Sequence, residues 1–179
     1  MSLLRAVATV SGFTMMSRIT GFARDILIAS ILGAGPIADA FFIAFKFPNF
    51  FRRLTAEGAF TVAFVPTFSR LLQDKGKKDA LEFAEEVISI MGIGLFLFSF
   101  FVIIFMPTFM LGLAPGFIEQ DWLFDLTVEL ARITFIYLTP ISLVAFLGVI
   151  LNSFGNFGAM ASAPILLNII LIVSLVFFE

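Results

Sequence analysis

The sequence predicts an all-α membrane protein with five transmembrane helices. Of its 179 residues, 60% are hydrophobic, and the mean hydropathy is +1.09. A soluble domain of this size would leave much of that apolar surface in water, so lipid must be its solvent. Phe accounts for 26 residues, which suits a lipid-facing surface. Five apolar stretches approach or exceed the roughly 20 helical residues that cross a bilayer core.

The residue types that are absent exclude several functions. The chain has no Cys and no His, which removes disulfides, Cys or His nucleophiles, His-based proton relays and the usual zinc sites. Its formal net charge of −2 excludes a strongly basic nucleic-acid binder. We therefore expect no metal site and no nucleic-acid partner.

The first two predicted spans are 6–32 and 37–68, separated by the turn sequence GAGP. Arg5 could begin a signal peptide, but the apolar run behind it meets Arg18 without a convincing cleavage site. We expect the first helix to stay in the mature protein. The second span carries many charges, and Pro48 is expected to kink it.

The other three predicted spans are 87–110, 125–151 and 159–178. The polar segment 73–86 predicts a loop with a short surface helix, and 111–122 predicts a Pro/Gly loop with acidic residues. Charges at the outer rim of the fourth span are interpreted as solvated; they are Asp125, Glu129 and Arg132. Three amides are interpreted as turn or helix–helix hydrogen-bonding groups; they are Asn152, Asn156 and Asn168.

Lys and Arg near the span ends predict the orientation. Arg5 precedes the first span, and four Lys or Arg residues lie between 70 and 78, whereas the loops 33–36 and 111–121 contain none. The N-terminus and the 70–86 segment are therefore predicted to be cytoplasmic. Five spans place the other end outside, directly after the apolar Phe178. We expect the chain to be a fragment of a longer membrane protein.

Three charges lie near the middle of the first span: Arg18, Arg24 and Asp25. A central charge costs roughly 2.5–3.5 kcal/mol on insertion scales, so these side chains must face protein or a water-filled cavity. At about 100° per residue, Arg18 and Asp25 fall on one stripe of the helix, with Arg24 on the adjoining one.

The second span also has a polar stripe. Within about 40° of one another on an ideal helix lie Asp39, Lys46, Arg53 and Glu57, with Asn49 beside them. Arg52 sits about 100° further round, and a kink at Pro48 could re-aim it.

The two stripes together hold five cations and three carboxylates, a surplus of two positive charges. A net-positive aqueous cavity suits an anion such as a phosphate or pyrophosphate, which Arg can bind through paired hydrogen bonds. The alternative is that the charges pair among themselves and only hold helix to helix. Arg53 with Glu57, and in part Arg18 with Asp25, could form such pairs. Lys46 could instead extend towards an interface.

Residues 17–66 resemble the opening of the MurJ (MviN) family, the lipid II flippases of the multidrug/oligosaccharidyl-lipid/polysaccharide exporter superfamily. The blocks GFARD and FPNFFRRLTAEGAF carry the resemblance, and APGF, RITFIYL, LNSFGNF and APILLNI follow in the family's order. The resemblance implies a fourteen-helix, V-shaped transporter in the bacterial inner membrane, of which this chain supplies helices one to five of the first six-helix lobe. It implies alternating-access transport of lipid II from the cytoplasmic to the periplasmic leaflet, without enzyme chemistry.

The resemblance also implies roles for individual residues. Arg18, Arg24 and Arg52 match cationic cavity positions for the lipid-linked pyrophosphate, and polar positions around them are matched by Asp25, Asp39, Asn49, Arg53 and Glu57. The implied partners are lipid II and membrane lipids. No cofactor is expected in this portion, and coupling to sodium or to the membrane potential would belong to the part beyond Glu179. Two alternatives remain: another exporter of the superfamily, for a lipid-linked glycan or a drug, and a non-transporting membrane scaffold.

Overall fold

The computed structural model of the chain describes residues 3–54, 58 and 60–177. Within this part the chain is helical and contains no strand, which confirms the predicted all-α class. The α-helices are α1 (Leu3–Leu32), α2 (Pro36–Arg52), α3 (Phe60–Asp74), α4 (Lys77–Ile104), α5 (Met106–Leu113), α6 (Asp121–Phe135), α7 (Leu138–Ser153) and α8 (Phe157–Phe177). A 3-10 turn, Pro115–Phe117, precedes α6.

Three helical segments of the described chain are long and apolar enough to cross a membrane. They are Lys77–Ile104, Asp121–Ser153 (α6 and α7 together) and Phe157–Phe177. The α1 helix has 30 residues but contains Arg18, Arg24 and Asp25. The α2 and α3 helices have 17 and 15 residues and are too short to cross alone. Five crossings therefore stay a prediction.

The prediction of a loop at 73–86 is wrong in its extent. Only Lys75 and Gly76 separate α3 from α4, which begins at Lys77 and continues without a break into the apolar segment. Gly76 makes this tight connection at φ 93°, a conformation that residues with a Cβ rarely adopt. The sequence from Lys77 consists largely of strong helix formers, and its Ala80 and Ala84 are buried one turn apart.

One compact unit of the chain comprises residues 39–147. Its core is a cluster from α2, α4, α5 and α6, extended by Leu138 at the start of α7. Within it the rings of Phe47 and Phe135 lie 5.1 Å apart. A hydroxyl pair, Ser99 and Thr139 at 3.2 Å, links α4 to α7. This packing holds α2, which carries the second polar stripe.

Pro48 lies inside α2 and is almost fully buried. Because proline has no N–H, the carbonyl of Ala44 four residues earlier loses its helical donor. The Thr134 hydroxyl of α6 donates to that carbonyl at 2.9 Å. A side chain from another helix thus replaces the missing backbone hydrogen bond, as membrane helices require.

The other compact unit comprises residues 1–38 and 148–179. Its main contact is α1 against α8, with the end of α7 beside α8. A Cβ at Gly158 of α8 would meet the Phe13 ring of α1 at 3.6 Å, so the two helices approach closely there. Gly155, at φ 78°, makes the turn between α7 and α8. This unit carries the charges of the first span.

The role of Thr134 predicts a stability effect that depends on Pro48. Thr134→Val keeps the side-chain shape but leaves the buried Ala44 carbonyl without its donor, which should lower the free energy of unfolding by about 1–3 kcal/mol. In a Pro48→Ala background the restored N–H supplies that bond, so Thr134→Val should cost about 0.5 kcal/mol or less. Thermal unfolding of the four variants in detergent measures both costs.

Thr67→Val is the matched control, because the one described hydrogen bond of the Thr67 hydroxyl stays within its own helix, to the Ala63 carbonyl at 3.3 Å. It should leave the unfolding temperature unchanged. An equal loss from Thr134→Val with and without Pro48 would show that the hydroxyl does not compensate for the proline.

Candidate functional site

Arg24 of α1 is held by two acceptors. Its Nε and Nη2 both donate to Oδ1 of Asp25, at 3.0 and 2.7 Å, and its Nη1 donates to Oδ1 of Asn168 at 2.8 Å. The Arg24 side chain is 21% exposed and that of Asp25 is 62% exposed. A guanidinium has five N–H groups, so one remains uncommitted on each terminal nitrogen among the described contacts. Two such groups are what a bidentate contact to a phosphate uses.

Asn168 connects α8 to α1 at the same place. It is buried, at 5% exposure, and its Nδ2 donates to the Ser17 carbonyl at 3.1 Å and to Oγ1 of Thr20 at 3.2 Å. A guanidinium only donates and a carbonyl only accepts, so these partners fix which way the amide points. A Cβ at Gly21 would lie 3.4 Å from Nδ2, so glycine permits this close approach. The interpretation of Asn168 as a helix–helix hydrogen-bonding group is confirmed.

Arg18 lies two turns before Asp25 and is exposed. It lines a cleft of about 320 Å³ whose other lining residues are Val10, Thr14, Ser17, Asn152, Phe157, Met160, Ala161 and Pro164. Within the described part of the chain, Arg18 forms no ion pair or hydrogen bond. The suggested pairing of Arg18 with Asp25 is therefore wrong here, since Asp25 pairs with Arg24. Among the described residues, no carboxylate compensates the positive charge of Arg18, which lies beside a largely apolar cleft.

In the unit 39–147, Arg52 and Asn49 come together at the end of α2. Nε of Arg52 donates to Oδ1 of Asn49 at 3.4 Å, and Nδ2 of Asn49 donates to the Phe45 carbonyl at 2.8 Å. Arg52 is half-buried. The sequence placed Arg52 about 100° away from the polar stripe, and the structure joins it to that stripe through Asn49.

The remaining charged residues predicted for this stripe are Asp39, Lys46, Arg53 and Glu57. Asp39, Lys46 and Arg53 are exposed and form no ion pair within the described ranges. Glu57 lies outside the described residues, so its suggested pairing with Arg53 stays a prediction. Arg53 and Leu54 have π-helical hydrogen bonding directly after α2, a local widening that is frequent at functional sites.

The rim charges of α6 form a separate group. Asp125, Glu129 and Arg132 line an open cleft of about 400 Å³ with Pro107, Phe124 and Val128. Arg132 donates from Nε to the Ile103 carbonyl at 3.3 Å. All three charged residues are exposed, as the interpretation of a solvated rim requires.

These arrangements present positive charge and N–H donors, which suit the binding of an anion. Among the residues that the structure describes, no group of three Asp or Glu could hold a metal ion. The α1 and α2 helices carry guanidinium groups on otherwise apolar surfaces. Amide or carboxylate groups accept hydrogen bonds from Arg24 and Arg52. In surroundings of low dielectric, such groups attract an anion strongly.

The family model described as Lipid II flippase MurJ matches residues 28–179. The chain belongs to the MurJ family. A protein of Rhizobium tropici named "Probable lipid II flippase MurJ" is 47% identical over 176 residues, 98% of this chain and 33% of that protein. A Rhizobium meliloti relative of the same name is 45% identical over 99% of this chain. The Burkholderia cenocepacia "Lipid II flippase MurJ" is 38% identical, also over 99%.

The relatives confirm the resemblance and set its extent. The chain spans about a third of the length of the curated MurJ relatives that it matches. Together with the three apolar helical segments, membership of the MurJ family identifies a multi-pass membrane protein. MurJ proteins are flippases by name, a class of transporter and not of catalyst.

Sequence reasoning missed the contact between Asn168 and Arg24. The sequence feature that could have predicted it is the isolated amide of Asn168 in an otherwise apolar helix. Such an amide indicates a polar hydrogen-bonding partner inside the membrane. The partner lies 144 residues away along the chain, and neither helix periodicity nor spacing relates positions at that distance.

Proposed function

We propose that this chain forms the N-terminal helices of a lipid II flippase, which carries the lipid-linked peptidoglycan precursor from the cytoplasmic to the periplasmic leaflet of the bacterial inner membrane. The curated relatives named lipid II flippase support this function. The observation that carries it is the guanidinium of Arg24, held by Asp25 and Asn168 with two N–H groups uncommitted among the contacts of the described residues.

The proposed ligand group is the pyrophosphate of lipid II. Its oxygens carry negative charge and accept several hydrogen bonds, which a planar guanidinium can donate in pairs. Arg18 has no carboxylate partner within the described residues, so its charge is available to an anion. Arg52, at the end of α2 with Asn49, would add a third guanidinium. The resemblance adds Asp25, Asp39, Arg53 and Glu57 as polar positions for the same ligand.

The proposed architecture has five crossings: α1, α2 with α3, α4 with α5, α6 with α7, and α8. At 1.5 Å per residue, the 30 residues of α1 extend about 45 Å, more than the roughly 30 Å of a bilayer core. The charges of α1 and α2 would then face water inside a fourteen-helix, V-shaped transporter. Alternating access of that cavity to the two leaflets moves the head group without making a covalent bond. Coupling to sodium or to the membrane potential would belong to the rest of the transporter.

A second candidate function is a non-transporting scaffold. The contacts of Arg24 favour it, because Asn168 binds both Arg24 and the α1 backbone and so ties α1 to α8. A network of this kind could serve packing alone. Nothing favours a cationic-drug exporter, which would need an excess of carboxylates over cations.

Substitutions of Arg24 in the full-length protein distinguish a phosphate-binding role of this residue from a purely structural one. If Arg24 binds phosphate, Arg24→Ala should abolish lipid II transport, and Arg24→Lys should impair it because an ammonium lacks the planar fork of donors. Both variants should still fold, since losing or shrinking an intramembrane cation does not raise the insertion cost of about 2.5–3.5 kcal/mol. Lipid II transport in proteoliposomes and thermal unfolding measure the two effects.

Arg70→Ala is the matched control, because Arg70 is an exposed arginine of α3 and belongs to neither polar stripe. It should leave transport unchanged. The scaffold function predicts instead that Arg24→Ala leaves the Asp25 carboxylate unpaired and lowers stability. Adding Asp25→Asn would then restore stability and transport together. Restored transport in the double variant would contradict the proposed ligand role.

The proposed orientation places the N-terminus and the connection between α3 and α4 in the cytoplasm. Because the chain has no Cys, one cysteine at Lys77 and another at Glu119 can be introduced singly. An impermeant thiol reagent added to intact cells should label position 119 and spare position 77, while both should react after lysis. The reverse pattern in intact cells would contradict the orientation.

A further inference from the structure

We propose that Asn168 of α8 is a positioning residue for the anion site, and that it orients the guanidinium of Arg24 towards the phosphate of the ligand. This proposal rests on the proposed function. Asn168 touches Arg24 and not the ligand, so its effect on binding must pass through Arg24.

The amide of Asn168 is itself fixed. Its Nδ2 donates to the Ser17 carbonyl at 3.1 Å and to Oγ1 of Thr20 at 3.2 Å, both on α1. Its Oδ1 accepts from Nη1 of Arg24 at 2.8 Å. The side chain is buried, so turning it would break three hydrogen bonds where water is scarce. The amide therefore presents one oxygen in a set direction.

Asp25 cannot supply this orientation alone. It follows Arg24 directly in the same helix, and its side chain is 62% exposed. The two side chains can therefore change rotamer together without breaking their ion pair. Among the described hydrogen bonds that Arg24 donates, the one to Asn168 is the one that reaches a second helix. That bond ties the guanidinium to the α1–α8 framework. A group held in place before the ligand arrives loses less freedom on binding and binds more tightly.

Replacing the amide should leave the helix pair intact. Thr20 still donates to the Met16 carbonyl at 3.0 Å, and Gly158 still packs near Phe13. In Asn168→Leu, Nη1 of Arg24 loses its acceptor, and the Ser17 carbonyl and the Thr20 hydroxyl oxygen each lose a donor. The Ser17 carbonyl keeps the Thr20 hydroxyl as a donor at 3.1 Å, and the hydroxyl oxygen keeps its own proton, so the charged group bears the main loss. The loss therefore falls on the orientation of the guanidinium and not on the fold.

The experiment is a double-mutant cycle on lipid II affinity in the purified full-length protein, with thermal unfolding measured in parallel. Asn168→Leu should weaken binding about tenfold, the effect of one hydrogen bond to a charged group. In an Arg24→Ala background the same change should weaken binding by about twofold or less, because no guanidinium remains to be oriented. A residue that only packs α8 against α1 would cost the same in both backgrounds.

Thr20→Val is the matched control, since it removes an acceptor of the same amide on the same helix and leaves the bond to Arg24 in place. Its affinity should stay within about twofold of the unsubstituted protein. If Asn168→Leu does not fold, Asn168→Asp keeps the volume and gives the guanidinium of Arg24 a second carboxylate beside that of Asp25. That variant should bind lipid II at least about tenfold more weakly, since one cation then faces two carboxylates and the cluster repels an anion.

Equal losses in the two backgrounds, or normal binding by Asn168→Leu or Asn168→Asp, would overturn the positioning role. If Arg24→Ala alone binds lipid II normally, the proposed function at Arg24 fails as well. Weak binding by Arg24→Ala with normal binding by Asn168→Leu would contradict the positioning role alone.

Discussion

The cost of placing charge and unpaired polar groups in an apolar surrounding governs the arrangement of this chain. Arg24 illustrates this cost. Its guanidinium lies on a long apolar helix and donates hydrogen bonds to a carboxylate oxygen of Asp25 and to the amide oxygen of Asn168. The same constraint acts on the backbone at Pro48, where the Thr134 hydroxyl supplies the donor that proline removes. In both cases a polar group from a second helix meets the need, so satisfying these groups also joins the helices.

Full compensation is not reached everywhere, and the exceptions are informative. Arg18 borders a mostly apolar cleft without a carboxylate partner in the described part of the chain. Within the same part of the chain, Arg24 keeps two uncommitted N–H groups although two acceptors hold it. A purely structural network would gain by pairing these groups. An anionic ligand would accept hydrogen bonds from the remaining donors of α1 and neutralise its remaining positive charge. The proposed function therefore assigns these groups to a pyrophosphate.

Much of the fold followed from local sequence rules, and the site followed in part. Long apolar runs predicted the helices, and the 3.6-residue period predicted which charges share a face. The prediction of a loop at 73–86 is wrong in its extent because polar residues do not end a helix when they are strong helix formers. From Lys77 these residues form the first turns of α4. The pairing of Asp25 was misjudged because seven-residue spacing favoured Arg18, while the long Arg24 side chain reaches its own neighbour. The partners of Arg24 and of the Ala44 carbonyl lie 144 and 90 residues away, and only tertiary packing determines such contacts.

The central claim is that the guanidinium groups of α1 recognise the pyrophosphate of a lipid-linked ligand. The most direct measurement compares the affinity of the purified full-length protein for lipid II and for an analogue in which a neutral linkage replaces the pyrophosphate. The analogue should bind at least about a hundredfold more weakly, since it loses two or more charge-assisted hydrogen bonds. In Arg24→Ala most of that difference should disappear. Equal affinity for the two lipids in the unsubstituted protein would contradict the account.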